Sequence, residues 1–530
     1  MEAIINHKNR QKCSVLLELI EDIEWTTDPS ILSKFSKDLF YSCRESIIAL
    51  RPKNTSEVVT ILQAIKIADM KLVVRGGGLS YSAGYLTDHQ NTAVLDMRAC
   101  DQVHKIDSEN MVVVVGAGIS WEKLDEALKP LNLRTPFWGT GSGLHATVGG
   151  SLSQNAINYG SGKYGTAAEN VVGLKVILCG GEEIRTGSWG GRINSAPFMR
   201  YYGPDLMGMF LGDNGALGVK AEVSLPLIKR PARTSFLAFA FSTLDDFVAA
   251  MSEVGRNGVV SECFGFDPSF LAERLVSGGF ADNLETIRLR LIDEYFRKLS
   301  NFNVSENSRS AESPHQTRPY TMHMSIEGRD DNELSSLTDL INGICQETGG
   351  IPIDGAVIRA IRENPFPAPE MLLGPNGFRW VPMHGVVPHS LHKELLREIG
   401  IFFDDRHELI QKKMIKWSHV SNLIGNATAL IEVNLYWKDS LSDTIEEFLD
   451  DDFISRQGRH AHNPDSFNAV SIMRDELIEL FSAFGSTHLQ IGKVYPYLDT
   501  RMASVSKLLT KLKDELDPEH RINPGVLKLS

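Results

Sequence analysis

Between residues 50 and 228, short apolar, β-branched runs alternate with stretches of helical spacing. Lys71–Val74, Ala93–Leu95, Met111–Val115, Leu174–Leu178, Glu183–Arg185 and Ala221–Leu225 read as strands. Val58 to Ile67 reads as a helix, and Ser120 as the cap of another with Trp121, Leu124 and Leu128 on one face. A second mixed region covers 229–300 and 320–475. Its expected strands are Ser235–Phe241, Thr321–Glu327, Val381–Val387 and Ala429–Tyr436, and its expected helices 244–254, 284–298, 332–347 and 390–415. The serine-rich stretch Asn301–Pro319 reads as a loop, and the acidic run Glu446 to Asp452 as a solvated helix face. Near the C-terminus a helix with Leu508, Leu512 and Leu516 on one face stops at Asp517-Pro518. The first 25 residues predict an amphipathic helix without signal-peptide character, because Glu18 and Glu21 interrupt its apolar patch. The pattern is α+β.

Composition narrows the function. The 530 residues are 42% hydrophobic and 23% charged, enough for several domains. A net charge of −13 argues against broad binding to nucleic acid or anionic membrane. Cysteines at 13, 43, 100, 179, 263 and 345 form no CxxC pair, which fits a reducing compartment and no zinc site. No run of 18 apolar residues exists. The expectation is a cytoplasmic protein with no membrane span.

Chemistry concentrates in glycine-rich loops. Arg75-Gly76-Gly77-Gly78-Leu79-Ser80 follows a strand, where glycine lets backbone N–H groups approach phosphate oxygens. The segment Gly116-Ala117-Gly118 imitates a dinucleotide fingerprint, but Trp121 holds the third glycine position, and an ordinary strand–helix turn is expected. A second glycine-dense loop runs from Gly139 to Ala156 and leads into Tyr159–Thr166. Such density suits backbone pressed against a flat ligand.

The ordered series RGGG, TVGGSL–NA, KYGTAAENVVGLKVILCGGE, EIRTG, GPDLMGMFLGDNGALGVKAEVSLPL and DPEHRINPG resembles the flavoprotein family of vanillyl-alcohol oxidase and p-cresol methylhydroxylase. The resemblance covers roughly the first 230 and last 50 residues. It implies a two-part α+β FAD-binding domain with a cap of antiparallel sheet and helices. The segments expected are an N-terminal helical segment (1–45), the FAD-binding domain (46–228), the cap (229–475) and a return to the FAD domain (476–530). The resemblance further implies FAD held at its pyrophosphate by Gly76, Gly77, Gly78, Leu79 and Ser80. Thr147, Gly149, Gly150, Ser151 and Asn155 would line the ribityl chain and ring edge. Gly218 and Val219 would approach the adenine, and Asn523 would lie in the returning tail. A dimer formed through the cap is a further family expectation.

The chain also departs from its relatives. Where many carry a flavin-tethering histidine there is Leu79; where some carry a cysteine there is His145; the cap segment Asn376–Pro382 has no histidine. Non-covalent FAD is therefore expected. The residues that hold a phenolate in relatives are replaced by Leu79, Gly485 and Ser486, and their acidic residue by Ala146, so a p-alkylphenol substrate is not expected. The expected reaction is removal of a hydride from a C–H next to oxygen or nitrogen, an alcohol or hydroxy acid being favoured. Electrons would pass to oxygen or a separate acceptor. His145, His488 and Tyr495 are the candidate catalytic groups. Arg379, His384, Glu432 and Asn434 are candidate substrate contacts, Glu432 and Asn434 because alternation places both on one strand face. No metal is expected, since Thr487 stands where metal-holding relatives have a glutamate. The alternatives are a non-redox synthase resembling alkylglycerone-phosphate synthase and a non-catalytic flavin-binding protein.

Overall fold

The computed structural model describes residues 2–193, 195–270 and 319–529. The expected helix at 284–298 and nearly all of the expected loop at 301–319 lie outside the described residues. The chain forms two compact units: residues 1–156, 166–229 and 489–530 make the first, and 157–165 with 230–488 make the second.

The first unit contains two sheets. β1 (Glu24–Thr26), β2 (Ile48–Arg51), β3 (Lys71–Arg75) and β4 (Thr92–Asp96) form a four-stranded sheet in the order β1-β2-β4-β3. The β2–β4 and β3–β4 pairs are parallel, and the helix Thr55–Ile67 makes the crossover between β2 and β3. Asn54 caps that helix by accepting from the Glu57 amide. Val58, Ile61, Leu62 and Ile65 form its buried stripe, packed with Leu50, Leu72, Leu95, Ile177 and Val219. β5 (Val103–Asp107), β6 (Val112–Gly116), β8 (Gly173–Ile177), β9 (Glu183–Arg185) and β10 (Val219–Pro226) form an antiparallel sheet in the order β5-β6-β10-β8-β9. β7 (Leu133–Arg134) and β11 (Ile228–Lys229) make a short separate pair.

The C-terminal tail adds to the free edge of β3. The Leu72 amide donates to the Arg521 carbonyl and the Asn523 amide to the Leu72 carbonyl. The helix Ala503–Leu516 precedes it and stops at Asp517, as the sequence led one to expect. Leu508 is 59% exposed, whereas Lys513 is fully buried. The Lys513 ammonium donates to the carbonyls of Ala216 and Ile522 and to Asp517, at 2.8, 3.0 and 2.6 Å. A three-donor ion fastens this helix to the glycine-rich segment and the tail.

The second unit is built on one antiparallel sheet. β12 (Arg233–Phe241), β13 (Val260–Phe266), β14 (Tyr320–Gly328), β15 (Ile351–Ile353), β16 (Arg379–Pro388), β17 (Lys416–Ile424) and β18 (Thr428–Trp437) lie in the order β15-β12-β14-β13-β17-β18-β16. Helices Leu244–Asn257 and Pro464–Ala483 pack on one face: a Cβ added at Gly265 would meet the Phe247 ring, and one at Gly385 the Phe481 ring. The single helix expected over 390–415 is two, His389–Asp404 and His407–Lys413. Arg406 interrupts it, donating to the Phe402 carbonyl and to Glu476. The acidic run likewise spans a break between Asp443–Glu446 and Asp451–Gln457, where Asp450 caps the second helix.

Candidate functional site

In the first unit, β3 delivers the chain into Gly76-Gly77-Gly78 with no room for side chains. A Cβ at Gly76 would lie 2.4 Å from Thr147 Oγ1, and one at Gly77 would lie 2.2 Å from the His145 carbonyl oxygen. Gly78 has φ of 79°, which glycine adopts without strain. The loop is held against the segment 145–150, part of which forms a helix (Val148–Gln154) instead of continuing the expected loop. Thr147 caps this helix by accepting from the Gly150 amide at 3.2 Å, and Gly149 allows it to lie against Ala117. Trp121 pins it from behind, its indole N–H donating to Ser151 at 2.8 Å. The strand Val112–Gly116 leads into the helix Trp121–Leu128 capped by Ser120, the strand–helix turn expected there, and Gly116 and Gly118 abut the backbone of residues 97–101.

These loops enclose a solvent-open cleft. Gly76, Gly77, Gly78, Leu79, Ser80, Thr147, Gly149, Gly150, Ser151, Gly218 and Asn523 line it. Asn523 does so with a fully committed side chain: its oxygen accepts from the Val74 amide at 2.8 Å and its nitrogen donates to the carbonyls of Asn214 and Gly215, each at 3.1 Å. Asn155 and Val219 do not line the cleft. Asn155 ends the helix with φ of 52° and accepts from the Ala168 amide; Val219 is buried at the start of β10. His145 and Tyr495 are also absent from the lining, although Ser142 and Ala146 beside His145 belong to it.

The polar lining residues Asn214 and Lys220 escaped the sequence reading. Lys220 is buried and paired with buried Asp213 at 2.6 Å. Their spacing of seven residues, acid before lysine, was the only available signal. Gln490 has φ of 50°, and its amide donates to the Gln154 carbonyl.

In the second unit, β16 and β18 pair so that His384 faces Glu432 and Pro382 faces Asn434. Glu432 and Asn434 share a face, opposite to that of Ile431 and Gly385, against which the helices pack. Asn434 accepts from the Trp380 indole N–H at 2.5 Å, and its own buried Nδ2 has no acceptor. Thr487 pairs with Val386 on the edge of β16 and places His488 Nδ1 2.8 Å from the His384 carbonyl. A carbonyl only accepts, so Nδ1 carries the proton, and in the neutral ring the lone pair is on Nε2. Arg379 lies apart from this group, stacked at 5.1 Å on Trp437 and 5.6 Å from Phe467, with Asp439 at 3.9 Å.

Three further histidines sit inside this unit. Burial pushes His323 and His392 down to about 3 and lowers His419. His323 shares a hydrogen bond with Thr321 and His392 with Ser421, both at 3.0 Å.

Residues 47–187 match the model of the FAD binding domain. The chain is an FAD-binding protein of the p-cresol methylhydroxylase fold. It is similar over 98% of its length to p-cresol methylhydroxylase with substrate bound, with a TM-score of 0.74 at 14% identity and 96% of that chain covered. It is also similar to alkyldihydroxyacetonephosphate synthase, with a TM-score of 0.64 at 14% identity, covering 91% of this chain and 76% of that one. Among curated relatives, the D-lactate dehydrogenase [cytochrome] 1, mitochondrial, of Saccharomyces cerevisiae is 25% identical over 301 residues. That match takes in 56% of this chain and 44% of the relative, so the chain spans less than half the length of that relative. Gly76, Gly77 and Gly78 present backbone to the cleft, which fits such a cofactor, and the clashes a Cβ would cause at Gly76 and Gly77 show that close packing on Thr147 and His145 requires glycine there. Among the described residues no helix is long and apolar enough to cross a membrane, and no cluster of metal-ligating side chains occurs.

Proposed function

We propose that the protein is an FAD-dependent oxidoreductase that removes a hydride from a carbon bearing a hydroxyl, with a 2-hydroxy acid or an alcohol as substrate. The observation that carries this reading is the glycine-walled cleft within the FAD binding domain. The relative named as a D-lactate dehydrogenase supports the substrate class. FAD supplies the hydride acceptor when bound. The protein's own residues must then hold the substrate and take the hydroxyl proton.

The 76–80 loop holds the pyrophosphate in this reading, through backbone N–H groups and the Ser80 hydroxyl. Leu79 offers no atom for a covalent bond, so the cofactor is released intact on denaturation. For the proton, His488 has the strongest support: its Nδ1 hydrogen bond leaves the lone pair of the neutral ring on Nε2. His145 and Tyr495 remain secondary candidates. His384, Glu432 and Asn434 form the polar face offered to substrate, while Arg379 is engaged by two aromatic rings and suits a supporting role.

Anaerobic titration of the holoprotein with 2-hydroxy acids, alcohols, amines and p-alkylphenols tests the proposal. Bleaching of the flavin band by a hydroxy acid or alcohol, and not by a p-alkylphenol, is expected. A flavin that stays oxidised with every hydroxylated substrate contradicts it. Product formation with no acceptor present would point instead to a synthase.

A further inference from the structure

We propose that Arg75 provides the counter-charge for the FAD pyrophosphate, acting through the glycine loop without touching the cofactor. Arg75 ends β3 and is 0% exposed; among the described residues no carboxylate forms an ion pair with its guanidinium, and the Tyr85 hydroxyl is its polar neighbour. A guanidinium stays protonated, so this is a full positive charge held away from water. Two aromatic rings flank it, that of Phe35 at 4.5 Å and that of Tyr85 at 5.7 Å. Asp96, on the neighbouring strand and opposite Arg75 in register, is engaged by Arg98 at 2.8 Å.

The position of this charge explains its isolation. A Cβ built on Gly78 would lie 2.0 Å from Arg75 Nη2, so the guanidinium packs against the back of Gly78. The front of the same loop, Gly76 to Ser80, lines the cleft. The Tyr85 hydroxyl steadies the arrangement, 3.0 Å from the Gly78 carbonyl and 3.1 Å from that of Lys37. One layer of backbone therefore separates a buried cation from the expected place of two phosphates. Water is excluded from that layer, so the attraction across it is weakly screened. A buried cation with no counter-ion is unfavourable in the empty protein, and its counter-charge arrives with the ligand. Arg75 is thus a positioning residue whose cost to the apo-protein is returned as affinity.

The inference rests on the assignment of the pyrophosphate to residues 76–80. It is tested on the full chain stripped of flavin, by calorimetric binding of FAD and of ADP and by the unfolding temperature of each apo-protein. Arg75→Met keeps the stem and removes the charge. It is expected to weaken FAD and ADP at least tenfold while the apo-protein unfolds no lower than the unaltered chain. Arg75→Lys is expected to recover most of the affinity. Binding within twofold of normal in Arg75→Met overturns the inference. So does a lowered apo unfolding temperature with equal loss of binding in both variants, which is the mark of a packing role. Ser80→Ala separates the underlying assignment: unchanged ADP binding there removes the loop from the phosphate site and the inference with it, whereas weakened binding leaves Arg75 to be judged by its own variants.

Discussion

The first unit makes its cleft mainly from backbone and small side chains, with Gly76, Gly77, Gly78, Gly149, Gly150 and Gly218 in the wall. The second unit makes its polar face from side chains, with His384, Glu432 and Asn434 set in place by the register of β16 against β18. The first design suits a ligand that is the same in every turnover, because backbone N–H groups recognise phosphate whatever the neighbouring side chains are. The second suits recognition that differs between relatives, since each position on a strand face can change without altering the ladder. Both units also bury charge, and each does so differently.

The largest effects should come from breaking those buried ions. In the second unit Arg362 bridges Glu262 at 2.7 Å and Glu327 at 2.8 Å; in the first, Lys513 pairs with Asp517. Arg362→Met strands two carboxylates and Lys513→Met strands one, and each should cost about 3–5 kcal/mol. Denaturant unfolding followed by peptide fragments in hydrogen exchange should show the loss in residues 230–488 for Arg362→Met and in the first unit for Lys513→Met. Loss spread equally over both units in either variant would break the comparison.

Next is Gly77→Ala, whose added carbon meets the His145 carbonyl, a backbone atom that has no rotamer to escape by. FAD binding measured by flavin fluorescence should fall at least about a hundredfold, a loss of about 2.7 kcal/mol. Retention of normal affinity would show that the loop does not shape the cofactor site.

The units should also differ towards acid. His323 and His392 are held near pKa 3 against an ordinary 6.5, both by burial in the second unit. Between about pH 6.5 and 3 the unfolded chain binds protons that the folded one refuses. The associated stability is present above pH 6.5 and falls as pH is lowered, by up to about 1.4 kcal/mol per pH unit for each histidine. Scanning calorimetry from pH 7 to 4 should show the transition of the second unit falling first. His392→Asn should flatten that dependence, and an unchanged slope would contradict this account.

The smallest effect is expected at Leu508. Leu508→Ser should change stability by no more than about 0.5 kcal/mol, because the side chain is exposed.

That last position shows what residue spacing alone does not say. Leu508, Leu512 and Leu516 have core spacing, but the buried anchor is Lys513, and three carbonyl and carboxylate partners distant in sequence make that burial possible. Lys220 in the cleft was hidden for the same reason, since its role depends on a contact that no local pattern encodes. By contrast, six of the strands between Lys71 and Pro226 (β3, β4, β6, β8, β9 and β10) and the helix after Ser120 were legible because alternation and capping are local. The glycine loops were legible because a glycine required by close approach leaves its mark at its own position. Glu432 and Asn434 fall between these extremes: alternation put them on one face, but the partner His384 needed the register.

The central claim is that this chain holds FAD in the cleft of its first unit with no covalent bond. The most direct measurement is to precipitate the purified protein with acid and quantify flavin in the supernatant and the pellet. One FAD per chain, all of it in the supernatant, is the result predicted. A colourless protein that takes up no added FAD, or flavin that stays with the pellet, would contradict the claim.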